Sequence, residues 1–298
     1  MHPCCFTPNL CLSRDMPEEA RPFQLCVLAS GSSGNCSVIT YGEGLTTRAC
    51  LIDAGLSPRR TRTLLANMGI RFDQLDHILV THFDRDHFHL GWQAAKLDRI
   101  RIHAHADHSP SAHNTGVRPR HFSFFDEPFA LWDSLNIDFA RLSHDSQGVT
   151  AFRLENDLGS LGYATDLGRP APELVRSLHG VGTLAIESNY CPKMQLASSR
   201  PAFLKKRIMG GAGHLSNEEA ATAVRDIAPA SHVVLLHLSR QCNRPEIALT
   251  EHAGTECEVI VSYQFDPTAW IAVAPARASR LPEPLPVQPS LFTASAPQ

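Results

Sequence analysis

Residues 81–87 carry the densest group of side chains that could bind a metal ion. Their sequence is Thr-His-Phe-Asp-Arg-Asp-His, and the ligand types in it are His82, Asp84, Asp86 and His87. Imidazole and carboxylate groups are the ligands expected for zinc, iron or manganese. The segment follows an apolar run, His77–Thr81, that is typical of a buried strand. We therefore predict a metal site where this strand ends, against the alternative of a polar loop that only caps a helix.

Further ligand-type residues come singly, each just after another apolar run. These are His144 after Ile137–Leu142, Asp166 after Ser160–Ala164 and His237 after Val233–Leu236. A lone histidine after a strand is more often structural than functional. Because strand ends can meet at one edge of a sheet, however, the recurrence predicts that these residues share one site with residues 81–87.

The elements that would position these residues alternate along the chain. Apolar runs and turn residues predict strands at Gln24–Ser30, Ser37–Tyr41, Ala49–Asp53, His77–Thr81, Ile137–Leu142, Val149–Leu154, Ser160–Ala164, Thr183–Glu187, His232–Leu236 and Val259–Val261. Helices are predicted from Pro58 to Gly69 and at Pro172–Ser177, Pro201–Met209 and Asn217–Ile227. Strands interleaved with helices in both halves favour an α/β (α+β) class, with two β-sheets covered by outer helices.

Composition limits the class of protein. The chain of 298 residues is 43% hydrophobic, which is enough for a substantial core, and its formal net charge of −3 gives no global basic field. The 9 cysteines contain no Cys-x-x-Cys pair, so we expect a reducing compartment rather than a disulfide framework. No run approaches the ~18 apolar residues needed to cross a bilayer, and the first residues do not resemble a secretory signal. We expect a cytoplasmic protein with no membrane partner.

The chain divides into three predicted segments. Residues 1–22 are expected to be a flexible leader and residues 23–274 a single domain. Residues 275–298 are expected to be a Pro-rich disordered tail, since six of the last 24 residues are proline.

Two other groups stay outside the predicted site. A second histidine group, spaced too loosely for one helical face, is interpreted as structural rather than as part of the site's rim, and it consists of His103, His105, His108 and His113. The basic run Lys205–Arg207 is typical of a solvated helix face, although near a cleft it could bind a nucleic-acid backbone.

Several motifs together resemble the metallo-β-lactamase fold superfamily. The general ones are Leu-Ile-Asp-Ala-Gly at residues 51–55 and His-x-Asp-x-Asp-His at residues 82–87, with the single residues that follow. More closely, residues 28–35, 164–168, 213–217 and 236–239 resemble the YycJ/WalJ-like branch, whose proteins are usually described as metal-dependent phosphodiesterases or exonucleases. The resemblance covers about residues 23–273 and implies an αββα sandwich of two mixed β-sheets flanked by helices.

The resemblance also implies a site for two divalent metal ions. A hydroxide between the ions would attack a phosphodiester, because the ions lower the pKa of bound water. Asp86 and His214 are the implied catalytic residues, His214 as a donor to the phosphate or to the leaving oxygen, and Asp53 would support the ligand loop. The implied ligands are His82, Asp84 and His144 for the first ion, Asp86, His87 and His237 for the second, and Asp166 as the bridge.

One ligand departs from the family pattern, because Asp84 stands where His-x-His-x-Asp-His has its second histidine. Zinc is the expected metal, but a carboxylate at this position could favour manganese or iron, or weaken the first site. The leading hypothesis is a metal-dependent hydrolase, a phosphodiesterase or nuclease whose substrate is nucleic acid. The alternatives are an iron-dependent oxidoreductase of the same fold, a hydrolase of a thioester, lactam or lactone, and a non-catalytic metal-binding protein. A homodimer is expected from the resemblance.

Overall fold

A computed structural model describes residues 23–42, 46–144 and 147–277. The predicted leader, residues 1–22, and the predicted tail from residue 278 onward lie outside the described residues. Residues 275–277 run along the domain, where the backbone N–H of Arg277 donates a hydrogen bond of 2.7 Å to the carbonyl of Gly180. No helix among the described residues has the length and apolar character needed to span a membrane.

The described strands form two seven-stranded sheets. The first sheet has the order β14-β1-β2-β3-β4-β5-β6, and the second has the order β13-β12-β11-β10-β9-β8-β7. The strands are β1 Phe23–Ala29, β2 Cys36–Tyr41, β3 Arg48–Ile52, β4 Leu75–Leu79, β5 Arg101–His105, β6 Phe122–Phe125, β7 Phe129–Leu131, β8 Leu135–Leu142, β9 Val149–Asn156, β10 Gly159–Ala164, β11 Thr183–Glu187, β12 His232–Leu236, β13 Glu258–Val261 and β14 Ile271–Ala272.

Both sheets are mixed. In the first, β14 to β3 pair antiparallel and β3 to β6 pair parallel. In the second, β10 to β13 pair parallel and β7 to β10 pair antiparallel. The parallel strands of one sheet end at the same edge, so the residues that follow them can converge there.

Helices lie on the outer faces of the sheets. The α-helices are α1 Pro58–Asn67, α2 Ser109–Asn114, α3 Pro172–Leu178, α4 Pro192–Ala197, α5 Ala202–Arg207, α6 Asn217–Ile227 and α7 Pro245–Glu251. Short 3₁₀ segments occur at Phe72–Gln74, Leu90–Ala94, Ala106–His108 and Pro119–His121, and a wider turn follows α5 at Ile208–Ala212. The helix α6 begins with the predicted capping box, in which Ser216 and Glu219 bond reciprocally.

The layers follow from the alternation of buried side chains. Along β1, Leu25 and Val27 join residues of the second sheet in one apolar cluster, whereas Cys26 and Leu28 join a cluster that includes Leu65 of α1. Successive side chains of a strand point to opposite faces, so β1 is buried on both. A third cluster joins the second sheet to α3 and α6. The predicted αββα sandwich is confirmed.

Local boundaries show where sequence patterns were sufficient. The strands Thr183–Glu187 and His232–Leu236 and the helix Asn217–Ile227 have the predicted bounds. The strand predicted at His77–Thr81 was placed two residues too late. The polar residue Asp76 interrupts the apolar pattern, but β4 already pairs with β3 at Leu75.

Two further differences from the prediction concern the strands β5 and β6 and the helix α5. The strands β5 and β6 were missed, since β5 has only two apolar residues, Ile102 and Ala104, and β6 is only four residues long. The helix predicted at Pro201–Met209 ends at Arg207, where the chain enters the wider turn that contains Gly211 with φ 78°.

Candidate metal centre

The residues predicted as metal ligands come together where strands of both sheets end. The segment 82–87 follows β4 of the first sheet, while single residues follow β8, β10 and β12 of the second. Ligand atoms fall into three groups whose members lie within 4.8 Å of one another. The groups are His82, Asp84 and His144; His82, His87 and Asp166; and Asp166, Glu187, His214 and His237.

The first predicted ligand set forms one of these groups. His82 Nε2 lies 3.8 Å from Asp84 Oδ2 and 3.5 Å from Asp166 Oδ2. His144 Nδ1 lies 3.1 Å from the carbonyl oxygen of Gly213, so this nitrogen donates and Nε2 is the ring atom left for a ligand role. The Asp84 side chain is 57% exposed, and it stands at the open side of the group.

The second predicted set lies on the other side of Asp166. Asp86 Oδ2 is 3.8 Å from both His87 Nε2 and His237 Nε2. Asp166 Oδ2 is 2.9 Å from His87 Nε2, and Asp166 Oδ1 contacts His237 Nδ1. One carboxylate therefore faces both sets, as a bridging ligand would.

The donor atoms suit a metal. The buried Nε2 atoms of His82 and His237 have no hydrogen-bond partner among the described residues, although each faces carboxylate oxygen. Buried polar atoms are nearly always hydrogen-bonded in folded proteins. Two buried imidazole nitrogens without such a bond therefore fit a role as ligands of a metal ion. Neutral imidazole and carboxylate are a usual set for zinc, manganese or iron.

Asp53 supports this centre from below. It is fully buried, its Oδ2 lies 2.7 Å from His87 Nδ1, and its Oδ1 accepts a hydrogen bond of 2.9 Å from the Thr81 N–H. The contact makes His87 Nδ1 the donor and turns Nε2 toward Asp166. Asp53, Asp166 and His237 all have left-handed backbone, with φ of 61°, 52° and 56°. This conformation is uncommon for residues other than glycine, and three of the six such residues that the structure describes lie at the site.

A second support fixes the loop that carries Asp86. The backbone N–H of Asn35 donates a hydrogen bond of 2.7 Å to the carbonyl of Asp86, and the Asn35 side-chain amide lies 2.9 Å from His87 Nε2. A Cβ atom on Gly55 would stand 1.8 Å from the same carbonyl oxygen. Only glycine therefore permits this close approach of residues 53–55 to the ligand loop.

Charges around Asp166 control protonation. Burial alone would lower the pKa of His87, but the carboxylates of Asp166 and Asp53 outweigh it and raise that pKa well above its usual value. Burial likewise opposes, and Asp166 produces, the rise of the His237 pKa to about 10. The Asp166 pKa is held well below its usual value by His237 and His87, against the effect of burial. Burial and the neighbouring His87 keep the pKa of His82 low.

Glu187 and His214 form a pair beside the centre. His214 Nδ1 lies 2.7 Å from Glu187 Oε1, and Glu187 Oε2 accepts hydrogen bonds from the backbone N–H groups of Leu167 and Leu215. Burial would lower the His214 pKa, but the Glu187 charge outweighs it and raises it. Sequence reasoning chose His214 and made Glu187 a candidate for supporting the site, but it did not pair the two side chains. The available signal was a carboxylate at the end of an otherwise apolar strand.

The centre opens into a cavity of about 320 Å³. Two arginines, Arg200 and Arg207, line it together with Asp84, Asp86 and His214. The Arg200 guanidinium donates hydrogen bonds to Gln195, Gln241 and Ser239. No carboxylate among the residues that the structure describes pairs with Arg200, so its charge is available to an anion in the cavity. Sequence reasoning missed Arg200 because no motif surrounds it.

Other sequence candidates lie elsewhere. His103 and His105 belong to β5, where they contact phenylalanine rings rather than the predicted ligands. Of the basic run 205–207, Lys205 donates to the carbonyl of Leu196, Lys206 is exposed, and Arg207 alone lines the cavity.

Comparison with known proteins agrees with this geometry. Residues 48–238 match the family described as the beta-lactamase superfamily domain. An exodeoxyribonuclease YycJ from Bacillus anthracis is 30% identical over 227 residues, which cover 74% of this chain and 84% of that protein. An exodeoxyribonuclease WalJ from Streptococcus pneumoniae is 28% identical over 233 residues, covering 76% of this chain and 85% of its own.

The chain belongs to the metallo-β-lactamase fold superfamily, and within it to the branch of these YycJ and WalJ proteins. Among solved structures, the metallo-beta-lactamase fold protein YhfI from Bacillus subtilis aligns with a TM-score of 0.64 at 16% identity, over 83% of this chain and 99% of that one. This second likeness shows the fold. The fold implies divalent metal ions, and the groups of histidine and carboxylate side chains described above are candidate ligands for them.

Proposed function

We propose that this protein is a metal-dependent phosphodiesterase that degrades nucleic acid from an end. The observation that carries the proposal is the convergence of two ligand sets on Asp166 in one cavity that also holds Arg200. The similarity to proteins named exodeoxyribonucleases supports DNA as the substrate.

The residues at the centre fit two divalent ions. His82, Asp84 and His144 would hold one ion, Asp86, His87 and His237 would hold the other, and Asp166 would contact both. When bound, the ions would supply Lewis-acid activation of water and neutralise charge on the phosphodiester.

The protein's own side chains would position the substrate and complete the proton transfers. Arg200, held by three polar partners, would bind a non-bridging phosphate oxygen with little loss of side-chain freedom. His214 would donate a proton from Nε2 to the leaving oxygen. Glu187 accepts a hydrogen bond from Nδ1–H of His214, so Nε2 is the ring nitrogen left for the cavity.

Elemental analysis combined with turnover tests this function. The purified protein would be assayed for bound metal and for hydrolysis of bis-p-nitrophenyl phosphate and a DNA oligonucleotide, each with zinc, manganese and iron. We expect about two ions per chain and turnover of both substrates. One ion or none, with no turnover under any metal, would remove the hydrolase from consideration.

The role of His214 has a test that a structural role would not satisfy. A general acid matters most when the leaving group is a poor one. We therefore expect His214→Asn to slow cleavage of a nucleotide linkage by about 100-fold or more, and cleavage of a p-nitrophenyl ester much less. Equal losses on both substrates would contradict proton donation.

Asp84 favours one second candidate, an iron-dependent oxidoreductase. A carboxylate in place of an imidazole makes the first ligand set a harder donor set, which suits iron. Two irons with visible absorbance and no phosphodiester turnover would select this reading. Zinc or manganese with turnover would exclude it. The homodimer and the cytoplasmic location stay predictions, and light scattering and fractionation would test them.

A further inference from the structure

A second cavity adjoins the metal centre. It also measures about 320 Å³, and it shares Ser239 with the cavity of the centre. Its lining includes Arg240, Arg244 and Tyr263. Ser239 accepts a hydrogen bond of 3.2 Å from Arg200, so the phosphate-binding side of the centre continues into this second space.

Two aromatic side chains stand exposed at this second cavity. Tyr263 lines it, and Tyr263 and Phe265 are 48% and 49% exposed, so neighbouring positions of the chain present two aromatic rings to solvent. Gln264 between them is buried, accepts a hydrogen bond from the Ser33 N–H and donates one to the Gly34 carbonyl. Gln264 therefore anchors this bend to the loop before β2, while the rings on either side of it are exposed.

Arginines surround these rings. The guanidinium carbons of Arg60 and Arg240 lie 5.6 Å and 5.0 Å from the centre of the Phe265 ring. Arg244 is exposed, and its guanidinium donates hydrogen bonds to the backbone carbonyls of Arg240 and Asn243. No carboxylate within the described ranges forms an ion pair with any of these three arginines. Several other arginines do have such partners, as in the pairs Arg48–Asp76, Arg71–Asp73, Arg153–Glu155 and Arg176–Glu173.

We infer that this arginine–aromatic surface, formed by Arg60, Arg240, Arg244, Tyr263 and Phe265, binds the single-stranded polynucleotide on its way to the metal centre. The inference rests on the proposed function and adds to it the form of the substrate and its path. Unpaired arginines attract phosphates, and exposed rings stack on unpaired bases whatever their identity. A duplex keeps its bases stacked on one another, so it offers nothing to Tyr263.

The test compares long and short substrates on the metal-loaded protein. Specificity (kcat/KM) is measured for bis-p-nitrophenyl phosphate, which reaches only the centre, and for a single DNA strand of roughly eight nucleotides, a length within the span of known single-strand sites. The variants are Tyr263→Ala and Arg240→Gln. The matched control is Arg59→Gln, an exposed arginine of the same helix as Arg60 that does not belong to the surface.

We expect each variant to lower the ratio of oligonucleotide to small-substrate kcat/KM by about tenfold, mainly through KM, while the control leaves the ratio unchanged. Arg240→Gln should also make binding about one unit less steep in log salt concentration, because one phosphate contact is lost. Single-stranded RNA of the same sequence shows whether the surface prefers a sugar. The matching duplex should be cleaved more slowly than the single strand.

The failures are distinguishable. If wild type turns over strands and the variants keep the wild-type ratio, the inference about the surface is wrong and the phosphodiesterase stands. If wild type prefers the duplex, the single-strand path is wrong. If wild type turns over neither substrate under any metal, the proposed function itself fails.

Discussion

Histidines occur in two regions of this molecule, and their neighbours decide what they can do. At the metal centre, His87 and His237 face carboxylates, which raise their pKa values despite burial. In the region of β4 and β5, His103 packs on the ring of Phe129 and His108 lies 2.8 Å from Arg141. Burial and the neighbouring His77 lower the pKa of His103 to about 3. Burial and the charge of Arg141 lower the pKa of His108 to about 4.

This difference shows that the number of histidines in a region does not by itself locate a metal site. Imidazole binds a cation well where negative charge compensates the ion and where the second ring nitrogen has an acceptor. His87 has both, through Asp166 and Asp53. The hydrogen-bonded neighbour of His103 is another imidazole, His77, which supplies no negative charge.

Removing a predicted metal ligand should have the largest effect on metal binding and turnover. Asp86→Ala or His87→Ala is expected to lose bound metal and more than about 100-fold of turnover, because even residues that only support a ligand typically contribute 10–100-fold. Metal content and phosphodiester turnover would be measured on each variant, with circular dichroism to verify folding. The matched control is His105→Ala on β5, which should keep both metal and activity. Full activity in both ligand variants would contradict the dinuclear assignment.

Removing the support beneath a ligand should have a smaller effect. Asp53→Asn keeps the shape of the side chain but loses the charge that holds His87 Nδ1–H, so metal affinity is expected to fall by about 10–100-fold. Competition with a chelator measures this. The control is Asp107→Asn, which removes the carboxylate 3.3 Å from His105. A loss of metal affinity in the control that matches the loss in Asp53→Asn would erase the contrast between the regions.

Changing the type of one ligand should alter selectivity rather than activity as a whole. Asp84→His restores the usual histidine, and we expect the ratio of zinc to manganese bound from an equimolar mixture to rise, because imidazole is softer than carboxylate. Elemental analysis after dialysis gives the ratio. An unchanged ratio would mean that Asp84 does not set the metal preference.

The second region should appear in acid stability instead. His103 is neutral in the folded protein down to about pH 3, whereas in the unfolded chain it binds a proton below about pH 6.5. The unfolded state therefore holds more protons in this window, and His103 should cost stability by about 1.4 kcal/mol for each pH unit below 6.5. Urea unfolding of His103→Gln between pH 7 and pH 5 should show a shallower decline than wild type. Parallel curves would refute this account of His103.

The extent of sequence-based prediction differed between these regions. The segment 82–87 was identified directly, because its ligand types are adjacent in the chain and follow an apolar strand. The strand β5 was missed, because only Ile102 and Ala104 in it are apolar, and the histidines that alternate with them are buried against phenylalanine rings instead of facing solvent. Arg200 was missed for a different reason, since its role depends on partners as distant as Gln241.

Sequence patterns indicated two sheets covered by helices and a set of residues of metal-ligand type, because periodicity and side-chain type are local properties, and the resemblance to a known superfamily added the αββα arrangement and the two ligand sets. The folded structure added the distances between those residues and the groups that hold them in place. It placed Asp166 between two ligand sets and Glu187 behind His214. It also joined Arg240 and Tyr263 to the cavity beside the centre. Such contacts depend on how two sheets pack and where their strands end, which distances along the chain do not encode.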